Sequence, residues 1–97
     1  METKKLARIF KALSNENRVE LYLKIVKSNQ QGFNAKAECF ITDIISNLNI
    51  GAPTISHHLK ELSNAELIFV EKRGKFLIAK VNESLVEEVC NILRIKK

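Results

Sequence analysis

The residue types that could do chemistry in this chain gather in two stretches. Thr54, Ser56, His57 and Lys60 share the polar side of one apolar-periodic segment, and Lys72, Arg73 and Lys75 surround Gly74. Short hydroxyl and imidazole groups offer donors and acceptors that reach base edges in a DNA major groove. Lys and Arg suit phosphate and the adjacent minor groove. Positioning the first set takes a helix. Ile55, Leu59 and Leu62, at i, i+4 and i+7, predict one over about Ala52 to Asn64, with Pro53 at its start. Ile44, Ile45 and Leu48 predict a shorter helix over Thr42 to Leu48, and Asn49-Ile50-Gly51 reads as the turn between. Two helices across a tight turn form a helix-turn-helix. His58, three residues after Ile55, falls at the edge of the core face and reads as structural. The second set needs a hairpin. Alternation over Leu67–Arg73 and a return over Lys75–Val81 predict two strands with a basic tip, the arrangement of a wing.

Cys39 and Cys90 are the other reactive residues. Each reads first as a small packed side chain, Cys90 on a stripe with Val86 and Leu93. As a pair they could form a disulfide if their Cα atoms approach to about 6 Å. One thiolate without partners makes a poor zinc site, so neither a metal nor a cofactor is expected. No nucleophile, base and orienting residue stand at motif spacing, and no phosphate-cradling glycine loop is present. His57 and His58 are adjacent on a helix and point about 100° apart. These absences argue against an enzyme.

The 97 residues make a single domain, 1–97, and 45% apolar with 28% charged content describes a folded chain. No apolar run of about 18 residues and no signal peptide are found, which predicts a cytoplasmic protein with reduced thiols. The net charge of +5 suits a polyanion, and the basic groups are segregated from the acidic segment Glu83–Glu88. A first helix is predicted over Thr3–Leu13, with Leu6, Ile9, Phe10 and Leu13 inward; Lys4, Lys5, Arg8 and Lys11 read first as its solvated face, with direct phosphate contact as the second reading. Ser14 is the expected N-cap of a second helix ending near Ser28–Asn29, with Glu16 in its first turn. Val19, Tyr22, Leu23, Ile25 and Val26 form its broad apolar face. A polar connection, Gln30 to Lys36, contains Gly32 and a Phe33 tucked onto the core; Glu38–Ile41 is a short strand beside the hairpin. Asn82 or Ser84 caps a last helix to about Arg94. Its apolar residues Leu85, Val86, Val89, Cys90, Ile92 and Leu93 are too many for one small domain, so the terminal helices are expected to pair with a second copy. The fold class is mainly α with a small β-hairpin, a winged helix-turn-helix of order α-α-(short β)-α-α-β-β-α.

Ala12-Leu13-Ser14-Asn15-Glu16-Asn17-Arg18-Val19, Thr42-Asp43-Ile44, Thr54 to Leu62 and the wing Lys72-Arg73-Gly74-Lys75 together resemble the ArsR/SmtB family of winged-helix repressors, over nearly the whole chain. The resemblance implies a homodimer on double-stranded DNA at an imperfect palindrome, no membrane, and release by an inducer. It places Cys39 one position from the family's thiolate metal motif, without that motif's second cysteine. Some members sense oxidants or reactive sulfur through two cysteines, which makes a redox-responsive repressor using Cys39 and Cys90 one alternative. A winged-helix module for protein contact is another. Glu66 departs from the family, which has Gly at the end of the recognition helix. Since Glu takes the left-handed conformation at a cost, a different turn with Asn64 as cap is expected there.

Overall fold

The structure is a computed structural model that describes residues 1–31, 38–45, 48 and 50–95. Among these, the order is α1 (Thr3–Ala12), α2 (Glu16–Gln31), β1 (Cys39–Phe40), α3 (Ile41–Ile45), α4 (Ala52–Asn64), β2 (Ile68–Arg73), β3 (Phe76–Val81) and α5 (Glu83–Leu93). Expectations for Gly32, Phe33 and the connection as far as Lys36, for Ser46, Asn47 and Asn49, and for Lys96 and Lys97 lie outside the described residues, whereas Gln30 and Gln31, expected in that connection, are helical. The strands form an antiparallel sheet of order β1-β3-β2, with Cys39 opposite Ala79 and Arg73 opposite Phe76.

α2 packs on α3, α4, β1 and β3, and the largest fully buried side chains of the chain are Ile9, Leu21, Ile25, Leu62, Ile68 and Ile78. Of the expected inward face of α2, Tyr22 and Ile25 are buried and Val26 packs on the core, but one residue is exchanged. Leu21 is buried beside Ile25, four residues on, whereas Leu23 is 57% exposed. Apolar residues occupy more than one side of this helix, so periodicity alone left the choice of face open. Its start differs too. Asn15, not Ser14, caps it: Asn15 Oδ1 accepts the Arg18 N–H at 3.1 Å, and the Ser14 hydroxyl instead donates back to the Lys11 carbonyl. The helix also continues past Asn29, whose amide donates to the Ala79 carbonyl and whose Oδ1 accepts the Val81 N–H at 2.8 Å. That two-way bond ties α2 to the wing strand.

The end of α4 also corrects an expectation. Asn64 remains helical, Ala65 is the C-cap, and Glu66 itself takes φ +63°. The Leu67 N–H reaches the Leu62 carbonyl at 3.1 Å and the Glu66 N–H reaches Ser63 at 2.9 Å, the bond pair of a Schellman motif. Leu62 and Leu67 are both buried beneath it. This apolar contact, with the Asn82 side chain donating to the Glu66 carbonyl at 2.8 Å, holds a left-handed non-glycine residue in place. The left-handed backbone costs roughly 1–2 kcal/mol, and glycine returns about 0.5–1 of it as lost unfolded-state restriction. Glu66→Gly is therefore expected to stabilise the protein by about 0.5–1 kcal/mol, even after losing an exposed pair with Lys5. Thermal unfolding at fixed protein concentration checks this, with a rise of a few degrees expected.

Asn82 caps α5 through Oδ1 and the Leu85 N–H. Leu85 is buried, but Ile92, Leu93 and Ile95 face outward, as does Phe10 on α1. The radius of gyration, 13.8 Å, exceeds the roughly 12.5 Å of a compact chain this long. Apolar surface thus remains uncovered on both terminal helices.

Candidate nucleic-acid interface

At about 100° per residue, Pro53, His57, Lys60 and Asn64 run along the centre of the outward face of α4. Thr54 and Glu61 lie on one flank, Ser56 and Ser63 on the other. Thr54, Ser56, His57 and Lys60 are all exposed, while Ile55, Leu59 and Leu62 are buried against α2 and the sheet. Each flank borders a groove. Ser56, Lys60 and Ser63 line one of about 240 Å³ with Val70 and Leu77 of the hairpin. His57, Glu61 and Asn64 line a larger one with α1 and the α1–α2 junction. The helix therefore stands proud between two depressions, the shape needed to enter a major groove.

Strand alternation divides the basic wing. Lys72 pairs with Leu77 and shares the face of Val70, which borders the α4 groove. Arg73 points to the opposite face. There it makes a bidentate pair with Glu38, at 3.2 and 2.8 Å, and a third bond to Glu71 at 2.9 Å. These carboxylates raise its pKa further above the usual arginine value. Arg73 thus ties the wing to the residue before β1, and its charge is shared before any ligand arrives. Lys75, at the tip beside Gly74 with φ +63°, lies over the Phe76 ring at 5.6 Å, and Phe76 meets Phe40 edge-on. Lys72 and Lys75 form no ion pair among the described residues. Sequence reasoning missed Glu38 because it lies 35 residues from its partner.

His58 is buried, 4% exposed. Its Nδ1 accepts from Arg18 Nε at 3.2 Å, and the same guanidinium donates through Nη1 to the Ala12 carbonyl. Arg18, to which the sequence alone assigned no role, joins the α1–α2 junction to the recognition helix. With Nδ1 accepting, the proton sits on Nε2, which is buried without a protein partner among the described residues. Burial, then Arg18 and His57, push the His58 pKa below 6.5. The unfolded chain therefore binds more protons than the folded one just below pH 6.5, so stability is present above that value and lost as pH falls. Urea unfolding at pH 7.5 and 5.5 is expected to show lower stability at the acid value, and His58→Gln is expected to reduce the difference.

Both cysteines are free thiols. Cys39 is fully buried on β1, and burial above all pushes its thiol pKa up. Cys90, expected to pack, is exposed: α5 turns Leu85 fully inward and packs Val86 and Val89 partly against the core, while Cys90, Ile92 and Leu93 stay exposed. Among the described residues, no three His, Cys, Asp or Glu side chains gather to hold a metal ion, and no helix is long and apolar enough to cross a membrane.

Comparison with known proteins agrees with this geometry. A family model described as bacterial regulatory protein, arsR family, matches residues 35–69. The chain is 30% identical over 83 residues to the transcriptional repressor SdpR of Bacillus subtilis (strain 168), covering 86% of this chain and 82% of that one. It is 27% identical over 95 residues to an arsenical resistance operon repressor of Staphylococcus aureus, covering 98% and 83% of the two chains. In fold it is similar to an ArsR-like transcriptional regulator from Rhodococcus sp. RHA1, with a TM-score of 0.71 at 21% identity over 93% of this chain and 76% of the other. The exposed recognition helix, the wing and this kinship together place the chain in the ArsR family of bacterial transcriptional regulators, proteins that bind DNA and catalyse no reaction.

Proposed function

We propose that the protein acts in the cytoplasm as a homodimeric, sequence-specific repressor bound to an imperfect palindrome. The observation that carries this reading is the outward face of α4, where Thr54, Ser56, His57 and Lys60 stand exposed between two grooves. Thr54, Ser56 and His57 would read base edges, and Lys60, Lys72 and Lys75 would hold phosphates. Arg73 would do so only by sharing its charge with Glu38 and Glu71. The outward apolar residues of α1 and α5 support pairing through the terminal helices, which would set two recognition helices about 34–36 Å apart in successive major grooves. An inducer that changes the angle between subunits would end that simultaneous fit. The arsenical resistance operon that one relative is named for is not extended to this chain, whose two cysteines are a buried Cys39 and an exposed Cys90.

Fluorescence anisotropy tests the reading on DNA from upstream of the protein's own gene beside a scrambled duplex, at two salt concentrations. Tight binding to the first duplex only, with a steep salt slope, is the expected result. A folded protein that binds neither duplex at low salt would instead be a protein-contact module.

A further inference from the structure

The larger groove beside α4 holds about 960 Å³, and four of the residues lining it, Lys4, Arg8, Lys11 and Arg18, are cations. Lys4, Arg8 and Lys11, at i, i+4 and i+7, present one face of α1 to it, and Arg18 lies at the α1–α2 junction. Glu61 is the one carboxylate among its lining residues. Among the described residues none of Lys4, Arg8 and Lys11 has an ion-pair partner, whereas Lys5, off this stripe, is bonded to Glu66 at 3.1 Å. The groove is open to solvent, so these charges are available to a ligand. Its far wall is His57 and Asn64 of the recognition helix. The two walls are fixed to each other, because Arg18 bonds both His58 of α4 and the Ala12 carbonyl at the end of α1.

From this we infer that the basic face of α1 is a second DNA-backbone site, which receives the phosphates of the strand flanking the recognition helix. The inference rests on the reading of α4 as the groove-entering helix. It favours the second reading of these bases, phosphate contact, over a solvated face. Lys4 to Lys11 spans about 10 Å of helix, over which one DNA strand presents roughly three phosphates. Asn15 adds a donor: its Oδ1 caps α2, and its amide N–H groups have no partner among the described residues. An ordered α1–α4 wall would register the backbone against His57, so the contact would position the duplex without reading its sequence.

The test is the salt dependence of anisotropy for the full-length dimer and for the triple variant Lys4→Gln/Arg8→Gln/Lys11→Gln. The three side chains are exposed, and circular dichroism and molar mass verify the variant's fold and assembly. The expected result is a log K versus log salt slope shallower by about 2–3 per bound protomer, at about 0.9 for each lost phosphate contact, with operator preference unchanged. Loss of two charges at Lys24 and Lys27, on α2, should leave the slope near wild type. An unchanged slope in the triple variant overturns the inference, and so does an equal fall per charge in the α2 control, which would mean a general effect of net charge. If the wild type binds DNA without preference while the triple variant still loses slope, α1 contacts phosphate but not beside a sequence-reading α4, and the inference as stated falls with that reading. If the wild type binds no DNA at low salt, both fall.

Discussion

Replacing Ser56 and His57 together by alanine is expected to remove most of the protein's preference for its operator while leaving the salt slope near wild type. Both side chains are exposed on α4, so the variant keeps the buried face of Ile55, Leu59 and Leu62. Neither makes a hydrogen bond within the chain among the described residues that the fold would lose, which makes this a test of contact rather than stability. A well-placed contact to a base edge is worth about 1–3 kcal/mol of discrimination, so losing two should reduce the operator-to-scrambled ratio by about 30-fold or more. Lys60, Lys72, Lys75 and the α1 stripe, the proposed phosphate contacts, are untouched, so non-specific affinity and its salt dependence should persist. Competition between the two duplexes measures the ratio. A double variant that retained full preference would move base reading to Thr54 and the wing.

How far this site was legible in the sequence depended on the range of each interaction. The recognition helix was legible to the residue, because a Gly51-Ala52-Pro53 start and the Ile55, Leu59, Leu62 spacing act within a few positions. The hairpin was legible for the same reason, from alternation either side of Gly74. Capping was a closer contest. Ser14 and Asn15 are both good caps, and only the path of the α1–α2 turn decides which one faces the free N–H groups. Glu66 shows a different limit. Its conformational cost was readable, but the buried Leu62–Leu67 contact and the Asn82 bond that outweigh it come from tertiary packing. Arg73 and Arg18 were the least legible. One is claimed by Glu38 and the other by His58, partners 35 and 40 residues distant. From the sequence Lys72 and Arg73 read as one basic group on the wing; the structure turns them to opposite faces, with a carboxylate on the side of Arg73.

The terminal helices give the second large effect. Leu93 is 59% exposed on α5, with Ile92 and Ile95 beside it and Phe10 outward on α1. An apolar strip of this kind is stable in water when it faces another copy, and burying such a side chain contributes about 1.5–3 kcal/mol. Leu93→Glu places a charge on that strip without removing anything from the core of the single chain. The expected outcome is a folded monomer, seen as an unchanged circular dichroism spectrum with half the molar mass by light scattering. Operator affinity should then fall by about 10²–10⁴, because the second recognition helix is no longer delivered at high effective concentration. The salt slope should halve with it, since each monomer brings only its own phosphate contacts. Half-site DNA separates this from damage to the interface itself: the variant should bind a half-site as well as one wild-type subunit does. A Leu93→Glu protein that remains dimeric would exclude this strip as the pairing surface, and the exposed Leu23 face of α2 would be the next to test.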